Sequence, residues 1–180
     1  GGTAGQGKIG PFTLASLRFG AAGLLLVLLL RTRHELVPIA RDDLLRFVLL
    51  GALGIAITYA VMYGGLLYTT ATETTLLFGA EPVLIALLAR LVLGEHLRSA
   101  QSVGMMLGLI GVYLVVFRGL APRFEGTIVA NAIVSGSMLF EAYASVLGKR
   151  LTGRYPGLMV AAIEMLVGSV LLVPFAVREL

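Results

Sequence analysis

Charge is scarce in this sequence, cysteine is absent, and each shortage excludes a class of function. Charged residues make up 13% of the chain against 58% hydrophobic, and the mean hydropathy is +0.95. A soluble domain of 180 residues does not have this balance. The solvent to reason about is therefore lipid. Long polar stretches are missing too: the longest connection, residues 31–46, is about 16 residues and rich in charge. That leaves no room for a soluble domain or a nucleic-acid platform. Without cysteine there are no disulfides or thiolate metal sites. The 2 histidines, His34 and His96, fall in polar connections, and neither an HExxH helix nor a serine–histidine arrangement occurs. An intramembrane enzyme would gather such groups at one depth, so catalysis has little support. A channel would ring its pore with repeated polar residues, which are also rare, although a non-transporting scaffold or a channel stays an alternative to a carrier.

A bilayer needs roughly 20 apolar residues per helical crossing. Runs of that length occupy residues 11–30, 47–67, 74–94, 99–117, 126–148 and 156–177. The expected fold class is thus an all-α polytopic helix bundle. Alternate connections carry unequal positive charge. One set holds Arg31, Arg33, Arg41, Arg46, Arg98, Lys149, Arg150 and Arg154; the other holds Lys8, Arg118 and Arg123. The richer set is expected to be cytoplasmic, so the first run enters from outside. The chain opens on GGTAGQGKIG, with no initiating Met and no signal-peptide pattern, and reads as a piece of a longer protein.

Helix punctuation and packing are also legible. Thr70 and Glu73 have capping-box spacing, with the Thr oxygen serving the backbone N–H three residues on and Glu73 reaching back. Asp42 and Asp43 suit the positive end of the helix that starts beside them. Helices in lipid associate through small residues, and three packing faces are expected: Gly104 with Gly108 and Gly111; Gly51, Gly54, Ala60 and Gly64; Gly20 with Gly23. A Gly-Lys turn followed by proline and a long apolar helix occurs at Gly7 and again at Gly148. The two turns fall on opposite sides of the membrane, as an inverted repeat requires. Residues 1–117 would then be one five-helix repeat with its first helix truncated, and residues 126–180 the first two helices of a second, within a ten-helix carrier.

The costliest feature is Glu81-Pro82, in the middle of an apolar run. A charge there costs roughly 2.5–3.5 kcal/mol on insertion scales, and the proline frees backbone polarity that only protein or a wet cavity can satisfy. Glu81 either lines a substrate pathway, with Pro82 bending the helix around it, or pairs with Arg18, which lies at similar depth. Arg18 could also extend to the outer interface. Glu141, beside Tyr143 and in the same helix as Asn131, is a second pathway or coupling candidate. Glu164 is a third, unless Lys149 or Arg150 stabilises it. Tyr59 and Tyr63, four residues apart on one helix face, could meet substrate or belong to an interfacial belt. The candidate pathway set is therefore Glu81, Arg18, Glu141, Tyr143, Tyr59, Tyr63 and Glu164, with Pro82 as the kink.

Several of these stretches carry a family likeness: Tyr68-Thr-Thr-Ala71, Leu76-Leu77-Phe78, Glu81-Pro82-Val83, Ala86-Leu87-Leu88-Ala89, Leu93-Gly94-Glu95, Gln101 with Gly104, Gly111-Val112, and Pro11-Phe12 with Leu17-Arg18-Phe19. In these the chain resembles the EamA-type members of the drug/metabolite transporter superfamily. The resemblance implies ten helices in two inverted five-helix repeats in the cytoplasmic (inner) membrane. It also implies secondary transport of small polar metabolites, amino acids or drugs by alternating access, here as an exporter, with no cofactor and no nucleic-acid partner.

Overall fold

A computed structural model describes residues 10–94, 99–117 and 128–179. Lys8, Glu95, His96, Arg98, Arg118 and Arg123, which entered the charge and motif arguments, lie outside them. In chain order the helices are α1 (Pro11–Thr32), α2 (Arg41–Gly51), a π-helical segment (Ala52–Ile57), α3 (Thr58–Leu66), α4 (Ala71–Gly79), α5 (Glu81–Leu93), α6 (Ser99–Phe117), α7 (Ile128–Thr152) and α8 (Gly157–Val177). Among the described residues 5 helices are long and apolar enough to cross a membrane: Pro11–Thr32, Arg41–Leu66, Thr72–Leu93, Ile128–Thr152 and Gly157–Val177. The remaining expected run is helical as α6, with Ser99–Gly111 as its apolar stretch. The second span begins at Arg41, six residues before the apolar run. The chain divides into two compact units, one of Gly1–Ala56 with Leu151–Leu180 and one of Ile57–Arg150.

In the first unit α1 and α2 both pack on α8. Small residues let the backbones approach. Ser16 Oγ donates to the Ser169 carbonyl at 3.1 Å, and Ser169 Oγ donates back to the Ser16 carbonyl at 2.8 Å. A Cβ on Gly20 would meet Ser169 Oγ at 2.8 Å, and one on Gly23 would meet Leu166 Cγ at 2.8 Å. The α1 glycines therefore pack as the sequence implies. So does Gly51, against Val167 at 2.7 Å, but the tightest approach is at Gly168, where a Cβ would lie 2.5 Å from Ile55 Cβ. Gly168→Val is expected to cost about 1–3 kcal/mol by overpacking, while Gly108→Val, which meets nothing within 4 Å, should leave stability unchanged. Equal unfolding midpoints in mixed micelles would contradict this assignment of the packing face.

The start of α1 is capped from the far end of the chain. Gly10, its N-cap, has no side chain to serve the first backbone donors. Glu179 does so instead, accepting from Phe12 N at 3.1 Å, Thr13 N at 2.9 Å and Thr13 Oγ1 at 3.0 Å. Burial works against the charge, but these hydrogen bonds outweigh it and hold the Glu179 carboxyl below its ordinary value. Because the folded pKa is depressed, the cap contributes above the ordinary carboxylate range and is lost as pH falls through the lowered value. Amide protection at Phe12 and Thr13 should accordingly be high at neutral pH and fall in acid. Protection that does not change with pH would exclude Glu179 as the cap.

In the second unit α3 runs antiparallel to α7. Thr58 Oγ1 donates to the Ser137 carbonyl at 3.3 Å, and seven residues on, a Cβ on Gly65 would meet Val134 Cγ2 at 2.8 Å and the Ala130 carbonyl at 3.2 Å. The contact glycine of α3 is thus Gly65, whereas Gly64 meets nothing within 4 Å. α4 packs on α6. Thr70 caps α4, its Oγ1 accepting from Glu73 N at 3.2 Å. Gly94 ends α5 at φ 68°, a left-handed conformation that glycine adopts without a Cβ clash. On α6, Cβ atoms on Gly104, Gly108 and Gly111 would meet nothing within 4 Å among the described residues.

Candidate functional site

The span that begins at Thr72 breaks in its middle. α4 ends at Gly79, Ala80 N turns back to the Leu77 carbonyl at 2.9 Å, and α5 restarts at Glu81, with Val83 N and Leu84 N both bonding the Ala80 carbonyl. Pro82 falls in the first turn of α5, where the missing N–H would have had no helical partner anyway. The proline therefore coincides with a one-residue interruption at Ala80, whose backbone stays in the helical region, within a span that runs Thr72–Leu93. Glu81 stands at the positive end of α5, a favourable place for a carboxylate.

Two cavities border the break. The larger, about 440 Å³, is walled by Gly79, Pro82, Val83 and Ala86 on one side and by Gln101, Gly104, Met105, Gly108 and Leu109 of α6 on the other. Gly104 and Gly108 of α6 thus line this space. The smaller, about 300 Å³, is bounded by Leu77, Ala80, Val83, Leu84, Leu109, Ser135 and Met138. Val83 and Leu109 are common to both, and the neighbours of Glu81 in sequence divide between them, Ala80 on the smaller and Pro82 on the larger.

Across from the break, α7 supplies Glu141, one turn beyond Met138. The Glu141 side chain is near enough to that of Glu81 for the two to interact. The structure thus brings two of the sequence candidates together, 60 residues apart in the chain. The other candidates sit as follows. The Arg18 guanidinium lies 4.7 Å over the Phe19 ring centroid on an exposed face of α1. Tyr59 and Tyr63 meet edge to face at 5.6 Å. Tyr143 is exposed on α7, and Glu164 is half-buried on α8. Arg150, a suggested partner for Glu164, donates to the Val92 carbonyl at 3.0 Å and so caps the end of α5.

Two polar clusters were only partly anticipated. Glu73 does not simply reach back to its own cap: its Oε2 accepts from Asn131 Nδ2 at 2.7 Å and lies 3.2 Å from Thr69 Oγ1, which also approaches Asn131 Oδ1 at 2.7 Å. The polarity of α7 at Asn131 is explained by this part-buried bond. Asp43 stands in the first turn of α2 as expected, but it is 0% exposed and binds Arg46 at 2.6 Å, Arg154 at 3.2 Å and the Tyr155 hydroxyl at 3.0 Å. Among the described residues no group of three or more His, Cys, Asp or Glu side chains could hold a metal.

The description of the EamA-like transporter family matches residues 2–117. An uncharacterized transporter of Bacillus subtilis, YyaM, is 29% identical over 171 residues, covering 93% of this chain and 56% of the relative. An uncharacterized inner membrane transporter of Escherichia coli, YedA, is 33% identical over 170 residues, covering 90% and 51% respectively. A probable terminal-alkyne amino-acid exporter of Streptantibioticus cattleyicolor is 32% identical over 140 residues, 76% of this chain and 45% of that one. The chain thus spans about half the length of these relatives. No solved structure matches it. A polytopic helical chain with a broken intramembrane helix and these relatives belongs to the EamA-like transporter family.

Proposed function

We propose that the protein is a secondary transporter of small polar metabolites, amino acids or drugs, working as an exporter by alternating access. It is a multi-pass protein of the cytoplasmic (inner) membrane, and its partners are the bilayer and a small-molecule substrate. Residues 1–117 serve as one inverted repeat and residues 126–180 as the opening of the second. The observation that carries the reading is the Glu81–Glu141 carboxyl pair at a mid-membrane helix break flanked by two cavities. Broken helices are where carriers bind substrate and coupling ions. A titrating pair whose charge alters its preference for burial can bias the outward- and inward-facing states. Arg18, Tyr59, Tyr63, Tyr143 and Glu164 are secondary pathway candidates. The name of the Streptantibioticus relative favours amino acids and outward movement.

Counterflow of radiolabelled amino acids into proteoliposomes holding the full-length protein tests this. Flux above that of protein-free vesicles is expected, dependent on pH in the wild type and lost in Glu81→Gln while the protein stays monodisperse. Unchanged, pH-dependent flux in both Glu81→Gln and Glu141→Gln would remove the pair from the coupling mechanism. Absence of flux with every metabolite class would remove the transporter reading.

A further inference from the structure

We infer that Arg46 and Arg154, held to one carboxylate by Asp43, form a binding site for the phosphodiester head group of an anionic membrane lipid. The inference is independent of the transport reading and needs only that these residues stand where helices enter the bilayer.

One arginine lies in the second turn of α2 and the other in the connection between α7 and α8, and the fold brings both to the same acid. Arg46 Nη1 donates to Asp43 Oδ1 at 2.6 Å, and Arg154 Nη1 donates to Asp43 Oδ2 at 3.2 Å. The Tyr155 hydroxyl donates to the same Oδ2 at 3.0 Å and accepts from Ala40 N at 3.1 Å, which fastens the start of α2 to the residues before α8. The two guanidiniums are therefore separated by no more than one carboxylate and its hydrogen bonds. The two free oxygens of a phosphodiester, with hydrogen bonds of their own, bridge a similar span.

Donors and charge select the head group. A guanidinium has five N–H donors, and Asp43 takes one from each arginine. The Arg46 and Arg154 side chains are 52% and 65% exposed, whereas Asp43 is buried, so the donors not used by Asp43 can meet a ligand from outside. Two guanidiniums and one carboxylate leave one positive charge, which a phosphodiester neutralises. The ammonium of a zwitterionic head group would bring a like charge back beside the arginines. On the same side Arg31, Arg33 and Arg41 outnumber Glu35 and Asp42, so the surrounding field also favours an anion. Because Asp43 already holds both side chains, binding costs less rotamer freedom than it would for unrestrained arginines.

The lipid, as against free phosphate, is selected by what lies next to the pair. Spans begin here at Arg41 and at Gly157. Leu49, three residues after Arg46 and on the same side of α2, is exposed, and so is Leu158 in the first turn of α8. Acyl chains below a bound head group would cover such leucines, and a soluble phosphate would not. The arginine-rich end is the one expected to face the cytoplasm, where the leaflet surface is negative.

The test counts lipids retained by the purified full-length protein in native mass spectrometry, after titration in detergent with dioleoyl phosphatidylglycerol or dioleoyl phosphatidylcholine. The first phosphatidylglycerol should bind about twentyfold more tightly than the first phosphatidylcholine, roughly fivefold for each arginine. Arg46→Gln and Arg154→Gln should each remove about one such factor, and an excess of inorganic phosphate should not displace the lipid. Arg31→Gln combined with Arg33→Gln, which takes as much charge from the same side without touching Asp43, should keep the preference; this variant and the wild type decide the matter if the other two are poorly folded. Equal affinity for the two lipids, as when another segment of the full-length protein covers the arginines, overturns the inference. So does a preference that survives loss of Arg46 and Arg154, one that vanishes with Arg31 and Arg33, or displacement by inorganic phosphate.

Discussion

Replacing Arg46 and Arg154 together by alanine is expected to destabilise the fold more than Asp43→Ala does, because it takes two charged donors from a carboxylate packed against the helix start. Asp43 is 0% exposed, and its two oxygens are bound by Arg46, Arg154 and the Tyr155 hydroxyl. The Arg46 and Arg154 side chains are 52% and 65% exposed. The network is therefore asymmetric. Losing the carboxylate releases two guanidiniums that water can already reach, whereas losing the guanidiniums leaves the carboxylate with the Tyr155 hydroxyl as its remaining donor among the described residues. Asp43→Ala should accordingly be milder than the double arginine variant, despite removing the hub of the cluster. Adding Asp43→Leu to the double variant should recover much of the loss. Tyr155→Phe should cost about 1–3 kcal/mol, since that hydroxyl both donates to Asp43 and accepts from Ala40 N at 3.1 Å. Unfolding free energies in mixed micelles decide the order. A double arginine variant no less stable than Asp43→Ala would show that the carboxylate does not depend on the two guanidiniums.

The features that could be read from the sequence are those that local physics dictates. Membrane class and span positions follow from composition and run length, the Thr70 cap from its spacing to Glu73, and the end of α5 from Gly94. The interruption is legible because proline lacks the N–H that a continuous helix needs, and it falls at Ala80, beside Glu81 and Pro82. What could not be read is which helix stands beside which. Depth fixes a height in the bilayer, not a neighbour. The carboxyl that Glu81 meets lies 60 residues further on, at Glu141. The glycine faces show the same limit. Gly104 and Gly108 have the spacing of a packing face and line a cavity, while Gly65 and Gly168, outside such a spacing, make close contacts. Small residues permit close approach without saying whether a helix takes it.

Asn131→Leu should destabilise the second unit by about 1.5–3 kcal/mol or more, the range for a hydrogen bond to a charged group. Glu73 is 2% exposed, and the 2.7 Å bond from Asn131 Nδ2 ties its carboxylate on α4 to α7. Leucine fills a similar space but offers no donor, so it removes the bond while still excluding water from the carboxylate. The same reasoning gives a sign test. Leaving one partner of a buried polar pair is costly, whereas replacing both with apolar groups of similar shape approaches neutrality. Glu73→Leu should therefore be destabilising in the wild type and stabilising in the Asn131→Leu background. Glu73→Gln, which keeps an acceptor for the amide, should be the mildest single change. A double-mutant cycle read by unfolding in mixed micelles measures the coupling between the two side chains directly. A coupling near zero would mean that Asn131 and Glu73 are neighbours without being partners, and that α4 is held against α7 by packing alone.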